Sequence, residues 1–160
     1  MKIKYKLITV VLAMFYTCNG SFSKIPIVWQ NDLKLTYHFS GGHSMDFQKI
    51  EIDRKTLRYH KKYFDGTSYQ ESDKQFPIEE ADLNDLLDVL RKNDADCIRM
   101  EKTEVLYYDA PSFTLRLEKG NEQLINLSNG AHYILPKTYY ERYRNIINRI
   151  EMTANRMKER

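Results

Sequence analysis

Apolar residues recur along this chain at two spacings, and the switch between them marks out its elements. Leu33, Leu35, Tyr37 and Phe39 alternate with Lys34, Thr36 and His38. A period of two predicts a half-buried strand. Gly41-Gly42 breaks it with backbone freedom that other residues lack. Phe47 to Ile52 forms a second strand, with Ile50 and Ile52 on one face. Asp53-Arg54-Lys55 turns the chain, and Leu57, Tyr59 and Tyr63 mark a third strand on a stretch rich in β-formers. Asp65-Gly66 ends it. Ser68 to Phe76 is weaker and reads as a short edge strand or a loop.

The period then lengthens. Pro77 precedes the acidic start Ile78-Glu79-Glu80-Ala81-Asp82, and Leu83, Leu86, Leu87 and Leu90 follow at i, i+3, i+4 and i+7. That spacing predicts a helix over about 80–93 with one apolar stripe. Asp82, Asn84, Asp85, Asp88, Arg91 and Lys92 take its other side, and Asn93 is a stop signal. Alternation returns at Phe113, Leu115 and Leu117. Lys119-Gly120-Asn121-Glu122 predicts a hairpin turn into a strand over Gln123 to Leu127, and Asn129-Gly130 is another turn. After Pro136, the residues Tyr139, Tyr143, Ile146, Ile147, Ile150 and Ala154 predict a long helix to about Asn155. The order is strands, helix, strands, helix. Tight turns make the strands antiparallel. The expected fold is α+β in two layers, an antiparallel sheet of about five strands with two helices packed on one face. The other face would be wet, or closed by the segment before Leu33.

The first twenty residues read differently. Met1-Lys2-Ile3-Lys4-Tyr5-Lys6 is positive, and Leu7 to Tyr16 is almost unbroken apolar sequence. The run is too short to span a bilayer and suits the core of an export signal. The expected organisation is therefore a signal peptide over 1–20, a lead-in over 21–32 with Pro26 and Trp29, one domain over 33–155 and a basic tail over 156–160. Cleavage after Gly20 is the first expectation. The alternative is lipidation at Cys18, although Phe15-Tyr16-Thr17 matches a lipoprotein signal poorly. The expected location is exported, periplasmic or secreted, with membrane contact only through a lipid on Cys18.

Export changes the charge picture. The chain holds 25 basic and 22 acidic residues, and losing Lys2, Lys4 and Lys6 leaves it formally neutral. Nucleic-acid binding needs a basic surface, so no nucleic-acid partner is expected. About 140 mature residues suit one domain with a core that needs no staples. Without Cys18, Cys97 would be a lone thiol, and its setting beside Ile98 suggests a buried structural one.

Candidate chemistry is sparse. His38, His43 and Asp46 flank the Gly41-Gly42 turn and are the only grouping that suggests a metal site or a hydrolytic centre. Their spacing matches no standard motif, and a solvated hairpin is the plainer reading. Ser44, His43 and Asp46 supply the residue types of a triad, but adjacency in sequence is not triad geometry. Gly41-Gly42 is no phosphate loop, because no Lys-Ser/Thr pair or helix start follows. Glu79, Glu80 and Asp82 hold the types of an acid-base pair and are more simply charges at a helix start. Tyr107, Tyr108 and Asp109 form a loop suited to contact, or a rigid lead into a strand fixed by Pro111. Tyr59, Tyr63 and Tyr69, interleaved with Lys61 and Lys62, suit stacking on sugars or bases, or a sheet face bordered by solvated lysines. Asn126-Leu127-Ser128 fits a glycosylation acceptor but falls inside a strand.

Several short motifs occur in a fixed order: Ser40-Gly41-Gly42, Ile50-Glu51-Ile52, Ile78-Glu79-Glu80, Asn93-Asp94-Ala95-Asp96-Cys97-Ile98, Asp109-Ala110-Pro111-Ser112-Phe113-Thr114-Leu115 and Asn129-Gly130-Ala131. Their order, from Leu33 to Ile150, resembles a family of uncharacterised bacterial secreted domains of unknown function. Cys97 and Ile98 depart from that family's usual aromatic after the first helix. The resemblance implies an exported α+β domain and brings no catalytic residues with it. Taken together, the sequence points to a cell-envelope domain that contacts a protein or envelope component, without cofactor. The alternatives are the His38/His43/Asp46 metal or hydrolytic centre, and an inhibitor of a secreted hydrolase.

Overall fold

Strand β1, Leu33–Ser40, lies inside the sheet because it buries Leu33, Leu35 and Tyr37 on one face and offers both edges to neighbours. The chain is described by a computed structural model that covers residues 23–42, 45–105, 110–130 and 132–159. Strands β2 (Phe47–Ile52), β3 (Thr56–Phe64) and β4 (Tyr69–Pro77) follow as a meander. Helix α1 (Glu80–Lys92) leads through a 3-10 turn at Ala95–Cys97 to the short β5 (Glu101–Lys102). Strands β6 (Ser112–Lys119), β7 (Glu122–Ser128) and β8 (Tyr133–Ile134) precede helix α2 (Tyr140–Glu159). The main sheet has six antiparallel strands in the order β4-β3-β2-β1-β6-β7, and β5 pairs with β8 separately.

The fold is the expected two-layer α+β arrangement, with one strand more than expected in the main sheet. The addition is β4, which pairs with β3 along its whole length. Its sequence lacks alternation because nearly every residue is exposed, so neither face is selected to be apolar. The turn sets its register instead. Asp65 Oδ1 accepts the N–H groups of Thr67 and Ser68, and Gly66 takes a φ of 97° that disfavours other residues.

The helices cover one sheet face with the expected stripes, Leu83, Leu86, Leu87 and Leu90 from α1 and Ile146, Ile147, Ile150 and Ala154 from α2. Two boundaries differ from the sequence reading. Helix α2 does not stop at Asn155 but runs to Glu159, because Met157 continues the stripe and is buried. The lead-in belongs to the domain, since Ile25 and Trp29 are buried in the same core. It runs along α1 rather than over the wet face of the sheet. The backbone N–H of Trp29 donates to Asn84 Oδ1 at 2.8 Å, and the backbone N–H of Lys24 donates to Asp96 Oδ2 at 2.8 Å.

The polar side of α1 is also less solvated than its pattern suggests. Asp82 is buried and pairs with Arg156 of α2. Asp85 pairs with Arg149 at 3.1 Å, and Asn145 donates to Asn93 at 3.2 Å. Charges next to the stripe therefore fix the two helices against each other.

Candidate functional site

Register and alternation arrange the covered sheet face in rows. The row Leu117, Leu35, Ile52, Leu57 and Phe76 is apolar throughout. The next, Leu115, Tyr37, Ile50, Tyr59 and Lys74, is mixed. The third, Phe113, Phe39, Gln48, Lys61 and Ser72, turns polar toward β3 and β4. The core thus fades into a polar seam along α2.

That seam is hydrogen-bonded. The Tyr37 and Tyr143 hydroxyls act on each other within it. Gln48 Nε2 donates to Glu151 Oε1 at 3.0 Å, and the Tyr59 hydroxyl donates to Gln48 Oε1 at 3.4 Å. Burial holds the Tyr37 and Tyr143 hydroxyls well above the ordinary phenol range, and the Glu151 charge adds to both shifts. Burial raises Tyr59 as well, followed by Glu151 and Tyr63.

The seam opens at a basic corner. Lys158, in the last turn of α2, sets its Nζ 3.3 Å from the centroid of the Tyr59 ring. Lys74 lies directly across from Tyr59 in the β3–β4 register, and Lys61 follows two residues on along the same face. The Lys61 Nζ sits 4.6 Å from the Tyr63 ring centroid. Partial burial pulls Lys158 below the usual lysine range, helped by the charges of Lys61 and Lys74 and opposed by Glu151. Among the described residues no carboxylate lies within ion-pair distance of these three lysines.

The opposite face carries ion pairs. Glu51 takes both Lys34 and Lys49 at 3.0 Å, Arg58 forks onto Asp73, and His60 meets Glu71 at 2.7 Å. Phe47 stacks edge-on against His60 with centroids 4.6 Å apart. At the tip, Phe64 packs on Tyr69 under Lys62. An apolar groove of about 470 Å³ opens elsewhere, among Phe113, Ile134, Leu135, Tyr140 and Tyr143.

Strand alternation splits the interleaved tyrosines and lysines. Tyr59, Lys61 and Tyr63 share the helix side, while Lys62 and Tyr69 share the other. His38 lies on the polar face as its pattern requires, and burial followed by the Lys49 charge lowers its pKa. Asp46 Oδ1 accepts the N–H of Phe64, so this carboxylate ties β2 to the hairpin. His43 and Ser44 lie outside the described residues, as do Tyr107, Tyr108, Asp109 and Cys18. Among the described residues no three metal-ligating side chains form a group. Glu79, Glu80 and Asp82 diverge, with Glu80 on Arg54 at 2.8 Å and Asp82 on Arg156. Asn126 stands exposed in β7 and bonds to Gln123.

Cys97 differs from expectation. It is disulfide-bonded rather than a free thiol, and only half-buried. The buried neighbour Ile98 fills the core, while Cys97 sits one residue earlier in the 3-10 turn. The sequence reading missed Lys74 and Lys158. Lys158 was detectable one helical turn after Ala154, at the end of the buried stripe. No protein-family model matches the chain, and no curated protein is significantly similar to it.

Proposed function

We infer that this chain is an exported domain that works by surface contact with an envelope component or a protein, rather than by catalysis. The observation that carries this reading is the far half of the β3–β4 hairpin. Tyr63, Phe64 and Tyr69 are exposed there, with lysines over two of the rings, and the fold makes little use of them. Exposed aromatics beside cations are contact chemistry, since each ring offers apolar area at small cost in side-chain entropy. The oxidised Cys97 supports export, because disulfides persist in oxidising compartments. The order of strands and helices is also what membership of the bacterial secreted family would require.

A photo-crosslinking residue at Phe64, compared with one at the exposed Asp88 of α1, tests the proposal in the native envelope. The expected result is a saturable adduct at Phe64 alone, competed away by unlabelled protein. Equal labelling at both positions would overturn it. So would metal-dependent turnover by the purified protein that His38→Ala or His43→Ala abolishes.

A further inference from the structure

Strand β4 closes one end of the six-stranded sheet, and among the described residues its outer side has no strand partner. It is nine residues long, pairs with β3 without a register shift, and is exposed along almost its whole length. Proteins usually blunt such an edge with a bulge, a covering loop or inward-pointing charge, because it templates strand addition. Here Lys74 and Pro77 are the blunting residues, and the remainder is a regular template.

The charge beside that edge is not self-satisfied. On the wet face, Arg58 and His60 hold the β4 carboxylates Asp73 and Glu71. On the helix side, Lys74 joins Lys61 and Lys158 around Tyr59. Glu151 is a carboxylate that acts on Lys158, and it accepts a hydrogen bond from Gln48. Three ammonium groups held close together oppose one another until an anion arrives.

We propose that the free edge of β4 and the Lys61–Lys74–Lys158 cluster form one docking site for an extended acidic peptide segment, taken up as an added strand. This deepens the surface-contact reading and rests on it. Main-chain pairing along the edge supplies affinity, and alternate side chains supply selection. In an added strand, the residue opposite Lys74 and those two positions away point to the lysine side. Those positions are selected to be Asp or Glu. The intervening positions meet Asp73 and Glu71 on the wet face and are selected to be neutral. A second copy of this chain is a poor occupant, because antiparallel pairing of two β4 edges brings the same lysines together on one face. A lipid surface or free phosphate satisfies the charge but has no use for the edge.

The test titrates labelled peptides of about eight residues onto the full domain. One alternates Glu with Thr. A second has the same composition in two blocks, and a third is the alternating peptide with N-methyl groups on one edge. Anionic vesicles and inorganic phosphate are separate arms, and sedimentation follows self-association. The alternating peptide is expected to bind about tenfold more tightly than the block or N-methylated forms. The Lys61→Gln/Lys74→Gln/Lys158→Gln variant is expected to lose that binding while keeping its circular dichroism. Lys74→Glu is expected to transfer preference to an alternating Lys-Thr peptide, which no general loss of structure would produce. Equal binding of all three acidic peptides, vesicle or phosphate binding without peptide selectivity, β4-mediated dimers, or no peptide binding at about 1 mM would each overturn the proposal. A Phe64 adduct that forms in the envelope and is undiminished in the triple-lysine variant would overturn this site while leaving surface contact standing.

Discussion

A disulfide at Cys97 replaces the lone thiol that the sequence suggests. The protein is predicted to show no Cys97 thiol that reacts with maleimide, and to run as a monomer without reductant. Cys97→Ser is expected to lower stability by about 2–4 kcal/mol, through a less constrained unfolded chain. A free thiol at Cys97 in the monomer, or a Cys97-linked dimer, would refute this. A second prediction concerns Tyr37 and Tyr143. Their folded pKa values are raised, so between about pH 10 and those values the unfolded state releases protons that the native state keeps. Stability contributed by these groups is fully present below about pH 10 and is lost as pH climbs past it. Phenolate absorbance is expected to show these tyrosines titrating only as the chain unfolds. The Tyr143→Phe variant is expected to lose less stability than the native chain between about pH 9 and 11. Smooth titration of every tyrosine without unfolding would refute the assignment.

At the scale of elements, legibility followed burial. The stripe from Leu83 to Leu90 and the alternation from Leu33 to Tyr37 were readable because one face of each is wholly committed to the core. Strand β4 was not, because both its faces are wet and the Asp65–Gly66 turn sets its place. The candidate site divided in the same way. Alternation alone placed Tyr59, Lys61 and Tyr63 together. Lys74 came from the unpatterned strand and Lys158 from residues that read as a tail, so the cluster needed three elements to be folded together. The missed end of α2 gives a direct test. Deleting residues 156–160 removes the buried Met157 and the Arg156 partner of the buried Asp82. The expected loss is about 3 kcal/mol in urea unfolding. Deleting only residues 159–160 is expected to change stability by less than about 0.5 kcal/mol. Equal effects would mean that the last turn adds nothing.

For the whole molecule, the question is whether the lead-in folds with the domain or only lies on it. Its composition, with Pro26 and few periodic residues, made it look like a connector. Its packing argues otherwise, because Ile25 and Trp29 share one buried cluster with both helices and the sheet. Apolar groups drawn into a common core unfold together when no smaller part can bury its surface alone. Trp29 is the only tryptophan, so its fluorescence reports on the lead-in, while far-ultraviolet circular dichroism reports on the helices and sheet. The two signals are predicted to change at the same urea concentration with the same steepness. Asn84→Ala removes the acceptor of the Trp29 backbone N–H and is expected to shift both midpoints together, by about 1 kcal/mol. If the fluorescence transition came first, or moved alone in the variant, the lead-in would be a separate, weaker unit and the domain would begin at Leu33.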